Sequence, residues 1–114
     1  MKIKEVTDEY ILFDNGNKIH FDHRYDCCEY NYADFSILDE HHINYGFEFS
    51  NDLKFKFVNG IGFVFGSKDK FGYDRYIFIP CYSDQNGYYT DEIDIYYNDK
   101  KVLSGNCQEI IGGA

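Results

Sequence analysis

Apolar and polar side chains alternate at every second residue through much of this chain. The clearest run is residues 53–57, Leu-Lys-Phe-Lys-Phe, and residues 61–65, Ile-Gly-Phe-Val-Phe, follow it closely. Asn59-Gly60 stands between the two runs, and Asn-Gly is a strong hairpin signal because a tight primed turn needs positive φ at its central positions. Helices bury apolar residues that recur every three or four positions, which is not the pattern here. The sequence therefore predicts a β-hairpin over 53–65.

The same rhythm predicts further strands. Residues 11–13 and 18–22 flank Asn15-Gly16, where we expect a hairpin with a loop longer than two residues. Residues 88–97 alternate again, and the turn signal at 98–100 leads into a short strand at 101–103.

One strand differs from the rest because it is apolar throughout. Residues 76–79, Tyr-Ile-Phe-Ile, predict a central strand that is covered on both faces. Pro80 follows, and pairing should loosen there because proline has no N–H to donate to a ladder.

Helical signals are weak. Asp34 is placed to cap a short helix over 35–42, and the alternative is a strand through 30–37. Aromatic residues make up 20% of the chain, which favours strands. We predict a β-rich α+β fold: a small antiparallel sheet or sandwich built from hairpins, with at most one or two short helices. Its 114 residues fit a single domain spanning 1–114, with a flexible C-terminal tail from about residue 111.

Composition excludes several classes of function. The net charge is −9, which argues against general nucleic-acid binding because such binding needs a basic surface. No apolar run is long enough for a membrane helix, and the N-terminus lacks the apolar stretch of a secretory signal. We therefore expect a cytoplasmic protein whose four cysteines are reduced thiols.

The segment from His20 to Glu29 contains every residue type that binds zinc. His20 and Asp22 share a face if the segment is a strand, but the spacing matches no structural zinc pattern. The alternative is a hydrogen-bonded corner in which Asp26 and Glu29 cap turn amides. We favour the corner and expect neither a metal nor a cofactor.

The same segment brings cysteines close to histidines, which is the pairing of a thiol nucleophile with a base. Asp26 and Glu29 flank Cys27 and Cys28, however, and nearby carboxylates raise a thiol's pKa and reduce its reactivity. The sequence has no other recognised catalytic motif. We expect that the protein is not an enzyme.

A second candidate site is Asn86-Gly87-Tyr88-Tyr89-Thr90, next to Asp91 and Glu92. Either one tyrosine enters the core and the other packs over a neighbour, or an exposed tyrosine beside acids anchors an interface. The residues that we expect to take part in binding are His23, Asp26, Cys27, Cys28, Glu29, Tyr88, Tyr89, Asp91 and Glu92.

One stretch of this acidic chain is basic. Residues 51–75 carry five basic side chains against three acidic ones. The basic residues are Lys54, Lys56, Lys68, Lys70 and Arg75. These residues could bind a phosphate while a tyrosine stacks on a base. Alternatively, they protect an edge strand from unwanted pairing. We favour the second interpretation.

Two motifs together resemble a known family. The segment from His23 to Glu29, His-Arg-Tyr-Asp-Cys-Cys-Glu, resembles the H-x-x-D-C-C-E signature of a small domain of unknown function that is widespread in bacteriophage and bacterial genomes. Residues 86–90 resemble its N-G-Y-Y-[ST] segment. The family often has a tryptophan-containing strand, which this chain lacks, so Phe63 or Phe78 would take that place. The resemblance implies a phage or bacterial source and a compact β-rich fold, and it implies no activity.

These observations lead to an expected function. We expect a small, acidic, non-enzymatic binding protein of phage or mobile-element origin, which inhibits a host defence protein by occupying its basic nucleic-acid-binding surface. The alternatives are a nucleotide-signal-binding sponge and a Cys- or metal-dependent enzyme. We expect a protein partner with a basic surface, no direct contact with nucleic acid and no membrane, and the Phe-rich surfaces leave a homo-oligomer open.

Overall fold

Ten strands in two sheets form the framework of the protein. The computed structural model describes residues 1–22, 30–44, 46–85 and 90–111. The strands are β1 (Ile3–Val6), β2 (Tyr10–Phe13), β3 (Lys18–Asp22), β4 (Tyr30–Ala33), β5 (Lys54–Val58), β6 (Gly62–Lys68), β7 (Asp74–Gln85), β8 (Glu92–Tyr97), β9 (Lys100–Asn106) and β10 (Gln108–Ile111).

The two sheets differ in strand order and in strand direction. Sheet I has the order β1-β2-β3-β8-β9, and sheet II has the order β10-β7-β6-β5, with β4 also paired to β7. The strand pairs are antiparallel except for β10, which runs parallel to β7. The predicted fold class, a β-rich sandwich built from hairpins with short helical segments, is confirmed.

The hairpin turns lie where the Asn-Gly signals place them. The loop between β2 and β3 spans residues 14–17 and is longer than two residues, as predicted, with Gly16 at φ 91°. The loop between β5 and β6 has Gly60 at φ 77°. Asn98 and Asp99 both have positive φ between β8 and β9, a conformation that Asn and Asp tolerate better than most residues.

The core lies between the inner faces of the two sheets. Phe13 of sheet I meets Phe65 of sheet II edge-to-face at 6.4 Å between ring centroids, and Phe55 meets Tyr97 at 5.5 Å. Phe13, Phe63 and Phe65 are fully buried. Each contributes about 2–3 kcal/mol by leaving water.

The helical segment is shorter and more broken than predicted. Asp34 caps it as expected by accepting a hydrogen bond from the Ser36 amide at 3.0 Å, but a 3-10 turn covers only Phe35–Ile37. The chain then extends at Leu38, and the helix α1 (Glu40–Asn44) starts anew. The alternative prediction, a strand through 30–37, holds for its first four residues, since β4 ends at Ala33.

Pro80 marks a change of partners inside β7. The β6 pairing ends at Pro80, whereas β7 continues to Gln85 and pairs with β4 and β10. The Cys81 amide donates to the Ile61 carbonyl at 3.1 Å, while the Pro80 carbonyl accepts from the Asp34 amide at 2.8 Å. The hydrogen-bonding groups of successive strand residues point to opposite edges of the strand. Because the Cys81 N–H points towards the β6 side, the N–H that Pro80 lacks would point away from β6. Pairing with β6 does end at Pro80, but the missing N–H is not the cause, and the strand itself is continuous.

The prediction that residues 76–79 are covered on both faces is wrong. Ile77 and Ile79 are buried at 8% and 0% exposure, whereas Tyr76 and Phe78 are 51% and 39% exposed. Only one face of β7 packs against sheet I, so the two aromatic side chains stand on the outer face of sheet II.

Candidate functional site

Most of the binding residues predicted from sequence lie outside the described residues. These are His23, Asp26, Cys27, Cys28, Glu29, Tyr88 and Tyr89. Their assignment therefore stays a prediction, as does the resemblance that rests on them, and the predicted tail at 112–114 also lies outside the described part. Asp91 and Glu92 are described, and they lie at the start of β8.

A buried asparagine fixes the backbone around Asp91 and Glu92. Asn31 of β4 is 0% exposed, and its side-chain amide donates to the carbonyls of Thr90 and Glu92 at 3.0 Å each. Its carbonyl oxygen accepts from the Ser83 hydroxyl of β7. Asn31 therefore ties sheet II to the beginning of β8 in sheet I and sets the position of the two predicted acidic residues.

Carboxylates line the outer face of sheet I next to this anchor. Asp22 of β3 and Asp94 of β8 are direct register partners. Glu92 precedes Asp94 by two residues and so shares its face. We call Asp22, Glu92 and Asp94 the acidic face. No ion pair joins Glu92 or Asp94 to a basic side chain within the described residues, so these carboxylates give this part of sheet I a negative surface.

Aromatic side chains border the acidic face. His20 stacks on Tyr96 at 5.1 Å between ring centroids and 13° between planes, and its Nε2 lies 3.2 Å from an Asp99 carboxylate oxygen. His20 and Asp22 do share a strand face, as the sequence indicated. Among the described residues, however, no three His, Cys, Asp or Glu side chains are grouped to hold a metal ion.

A second surface lies on the outer face of sheet II. The register places Lys54, Gly66 and Tyr76 in one row across three strands, and Lys56, Val64 and Phe78 in the next. We call Lys54, Lys56, Val64, Tyr76 and Phe78 the platform. A shallow cavity of about 410 Å³ lies over part of it, lined by Lys54, Lys56, Val64 and Tyr76 together with Phe55 of β5. Phe78 lies beside this cavity, in the row of Lys56 and Val64.

Glycine in β6 makes the platform flat. A Cβ atom at Gly66 would lie 2.7 Å from Cδ1 of Tyr76 and 2.0 Å from the Arg75 carbonyl oxygen. Because Gly66 has no side chain, the ring of Tyr76 lies close against the neighbouring strand. A larger residue would displace that ring and break the floor.

The five basic residues of this region do not form one anion site. Lys68 pairs with Asp74 at 3.3 Å, and Arg75 pairs with Asp69 at 3.0 Å. Lys70 lies over the ring of Phe71. Lys54 and Lys56, like Lys70, have no carboxylate partner in the described part of the chain, and these two lie on the platform.

Asp69 organises the tip of the β6–β7 hairpin. Its carboxylate accepts from the amides of Phe71 at 2.8 Å and Tyr73 at 3.0 Å, and from Nε of Arg75 at 3.0 Å. Burial raises the pKa of this carboxyl, but the Tyr73 amide, Arg75 and the Phe71 amide together hold the pKa below its usual value.

One of the two described cysteines is unsuited to nucleophilic chemistry. Cys81 and Cys107 are free and buried. A hydrogen bond with Cys107 and burial both raise the pKa of the Cys81 thiol well above its ordinary value. Since the thiolate is the reactive form, the Cys81 thiol is a poor nucleophile.

The comparisons with known proteins give no relative. No protein-family model, no curated protein and no solved structure matches the chain. Within the described ranges, no helix has the length and apolar character needed to cross a bilayer.

Sequence reasoning named Glu92 of the acidic face and Lys54 and Lys56 of the platform, but it missed the residues that complete both surfaces. Asp94 joins the acidic face, and Tyr96 borders it, only because β3 pairs with β8, and no local pattern indicates that pairing. Tyr76 and Phe78 were predicted to be covered. One sequence signal for this exposed face was available. Gly62 and Gly66 of β6 have no side chains, so they do not cover the neighbouring residues of β7 on the outer face.

Proposed function

We propose that the chain is a small, acidic, non-catalytic binding protein that uses the acidic face to occupy a basic surface of a protein partner. The observation that carries the proposal is the direct pairing of Asp22 with Asp94, with Glu92 beside them. The three carboxylates share one outer face, so they present a concentrated negative surface. A cationic partner surface would be electrostatically complementary to it.

The charge of the whole protein supports the same proposal. A net charge of −9 attracts a basic surface over the Debye length and speeds the encounter. The Tyr96–His20 stack next to the carboxylates offers an aromatic contact of the kind that anchors interfaces. The acids would steer the partner and the aromatic pair would hold it.

A basic surface on a protein is commonly one that binds nucleic acid. A partner of that kind would lose its nucleic acid when the acidic face covers the same surface. Together with the resemblance to a phage and bacterial family, this favours a host defence protein, such as a nuclease, as the target. On this proposal the protein acts as an inhibitor in the host cytoplasm.

The test compares neutralised variants with the original chain. Glu92→Gln with Asp94→Asn removes two charges from the acidic face and keeps the shape of both side chains. Captured host proteins should be lost from this variant, and also from the original chain at about 0.5 M salt, where exposed charges are screened. Glu109→Gln with Asp52→Asn is the matched control, since it removes two exposed charges elsewhere.

Stability provides an independent measurement on the same variants. Substitutions on the sheet surface should change stability by less than about 0.5 kcal/mol, which keeps Tm within about 2 °C of the original value. Weaker capture by an equally stable protein excludes misfolding as the cause. Capture that survives both neutralisation and salt would contradict the proposal.

A further inference from the structure

We infer that the platform is a separate binding site for a nucleotide, with the base stacked on Tyr76 and Phe78 and the phosphate held by Lys54 and Lys56. This site is on the outer face of sheet II, and the acidic face is on the outer face of sheet I. The inference therefore does not depend on the proposed function, and either can fail alone.

The first support is the exposure of two aromatic residues on one strand face. Tyr76 and Phe78 are two residues apart on β7, so their Cα atoms are separated by about 7 Å on the same face. Flat aromatic surfaces of this kind bind bases because every base has a π-face, and each stacked base contributes about 1–3 kcal/mol. Val64 extends the apolar floor towards β5.

The second support is the position of the lysines. Lys54 and Lys56 lie on β5 in the same two rows as Tyr76 and Phe78. Two strand spacings separate each lysine from its aromatic residue, or about 10 Å between backbones. A sugar bridges a base and a phosphate across a gap of this size once the lysine side chain extends towards the phosphate.

The surrounding charges restrict the ligand to a small anion. Asp52 and Asp74 line the cleft next to Lys54, and Asp74 is already paired with Lys68. Two uncompensated lysines match one or two phosphates, whereas nucleic-acid binding draws on many phosphate contacts. The net charge of −9 also repels a polyanion more strongly than a single nucleotide. A free nucleotide therefore fits better than a nucleic-acid strand.

The test is titration of the full chain with AMP, GMP and their 3′,5′-cyclic forms up to about 5 mM, followed by thermal shift and NMR. A ligand at free concentration L that binds the folded state stabilises it by RT ln(1 + L/Kd), so Tm keeps rising with ligand concentration. We expect such a rise with a nucleotide, a much smaller one with inorganic phosphate or nucleoside alone, and saturable shifts of the amide signals for residues 54–56 and 76–78.

Variants assign the binding to the platform. Phe78→Ser, and separately Lys54→Gln with Lys56→Gln, should each raise the dissociation constant at least about tenfold. The matched controls are Phe71→Ser, which removes an exposed ring at the hairpin tip, and Lys101→Gln, which removes an exposed lysine of sheet I. Both controls should bind as the original chain does.

Four results would overturn the inference. The first is no shift with any nucleotide at the highest concentration, and the second is equal shifts with phosphate alone. The third is affinity for an oligonucleotide that rises with its length, which would make the ligand a nucleic acid. The fourth is a dimer that Phe78→Ser dissolves, which would make a second copy of this chain the occupant.

Discussion

Replacement of Asn31 by leucine tests whether the two sheets are joined as described. Leucine has nearly the shape of asparagine, so Asn31→Leu removes hydrogen bonds without opening a large cavity. The bonds lost include two to the carbonyls of Thr90 and Glu92 and one from the Ser83 hydroxyl. At about 1 kcal/mol for each bond, and more where a buried group loses its partner, we expect a loss of about 3–4 kcal/mol.

Equilibrium urea unfolding with an unchanged m-value measures this loss, and Tm should fall by about 10–15 °C for a domain of this size. Ser83→Ala removes one of the three bonds and should cost about 1 kcal/mol. Ser104→Ala, on the exposed side of β9, should change stability by less than about 0.5 kcal/mol. If Asn31→Leu costs less than Ser83→Ala, the network does not join the sheets and the reasoning is refuted.

Two further predictions concern packing and pH. Gly105→Ala places a Cβ about 2.2 Å from the Phe57 ring, so it should lower the free energy of unfolding by about 1–3 kcal/mol in urea titration, and an unchanged midpoint would contradict this close packing. The lowered pKa of Asp69 adds stability above its unfolded pKa of about 3.9, and the gain is lost as pH falls through the folded pKa. Tm should therefore fall more steeply between about pH 5 and 2 in the original chain than in Asp69→Asn, and parallel curves would exclude this role.

The hairpins could be predicted from sequence because their signals are local. Asn15-Gly16, Asn59-Gly60 and Asn98-Asp99 each combine a turn dipeptide with flanking alternation, and the structure turns at all three. The short cap at Asp34 is likewise local. The predicted helix over 35–42 is too long. No residue near Leu38 is a recognised helix-stop signal, although Leu38 is extended and interrupts the helix.

The surfaces could not be predicted, because they depend on which strands become neighbours. An apolar run such as residues 76–79 shows that one face is buried, but not whether anything packs on the other. The pairing of Asp22 with Asp94 runs against local rules, since like charges avoid each other. Nothing in the sequence around Asn31 indicates its role, because its hydrogen-bond partners lie on β7 and at the start of β8, far away in the chain.

Strand β7 serves two surfaces at once. Its first half presents Tyr76 and Phe78, and its second half supplies Ser83 to the network that positions Glu92. Insertion or deletion of one residue between these halves would reverse the direction of every side chain beyond it. Evolution of this protein should therefore keep the length of residues 74–85 fixed and leave differences in length to the loops.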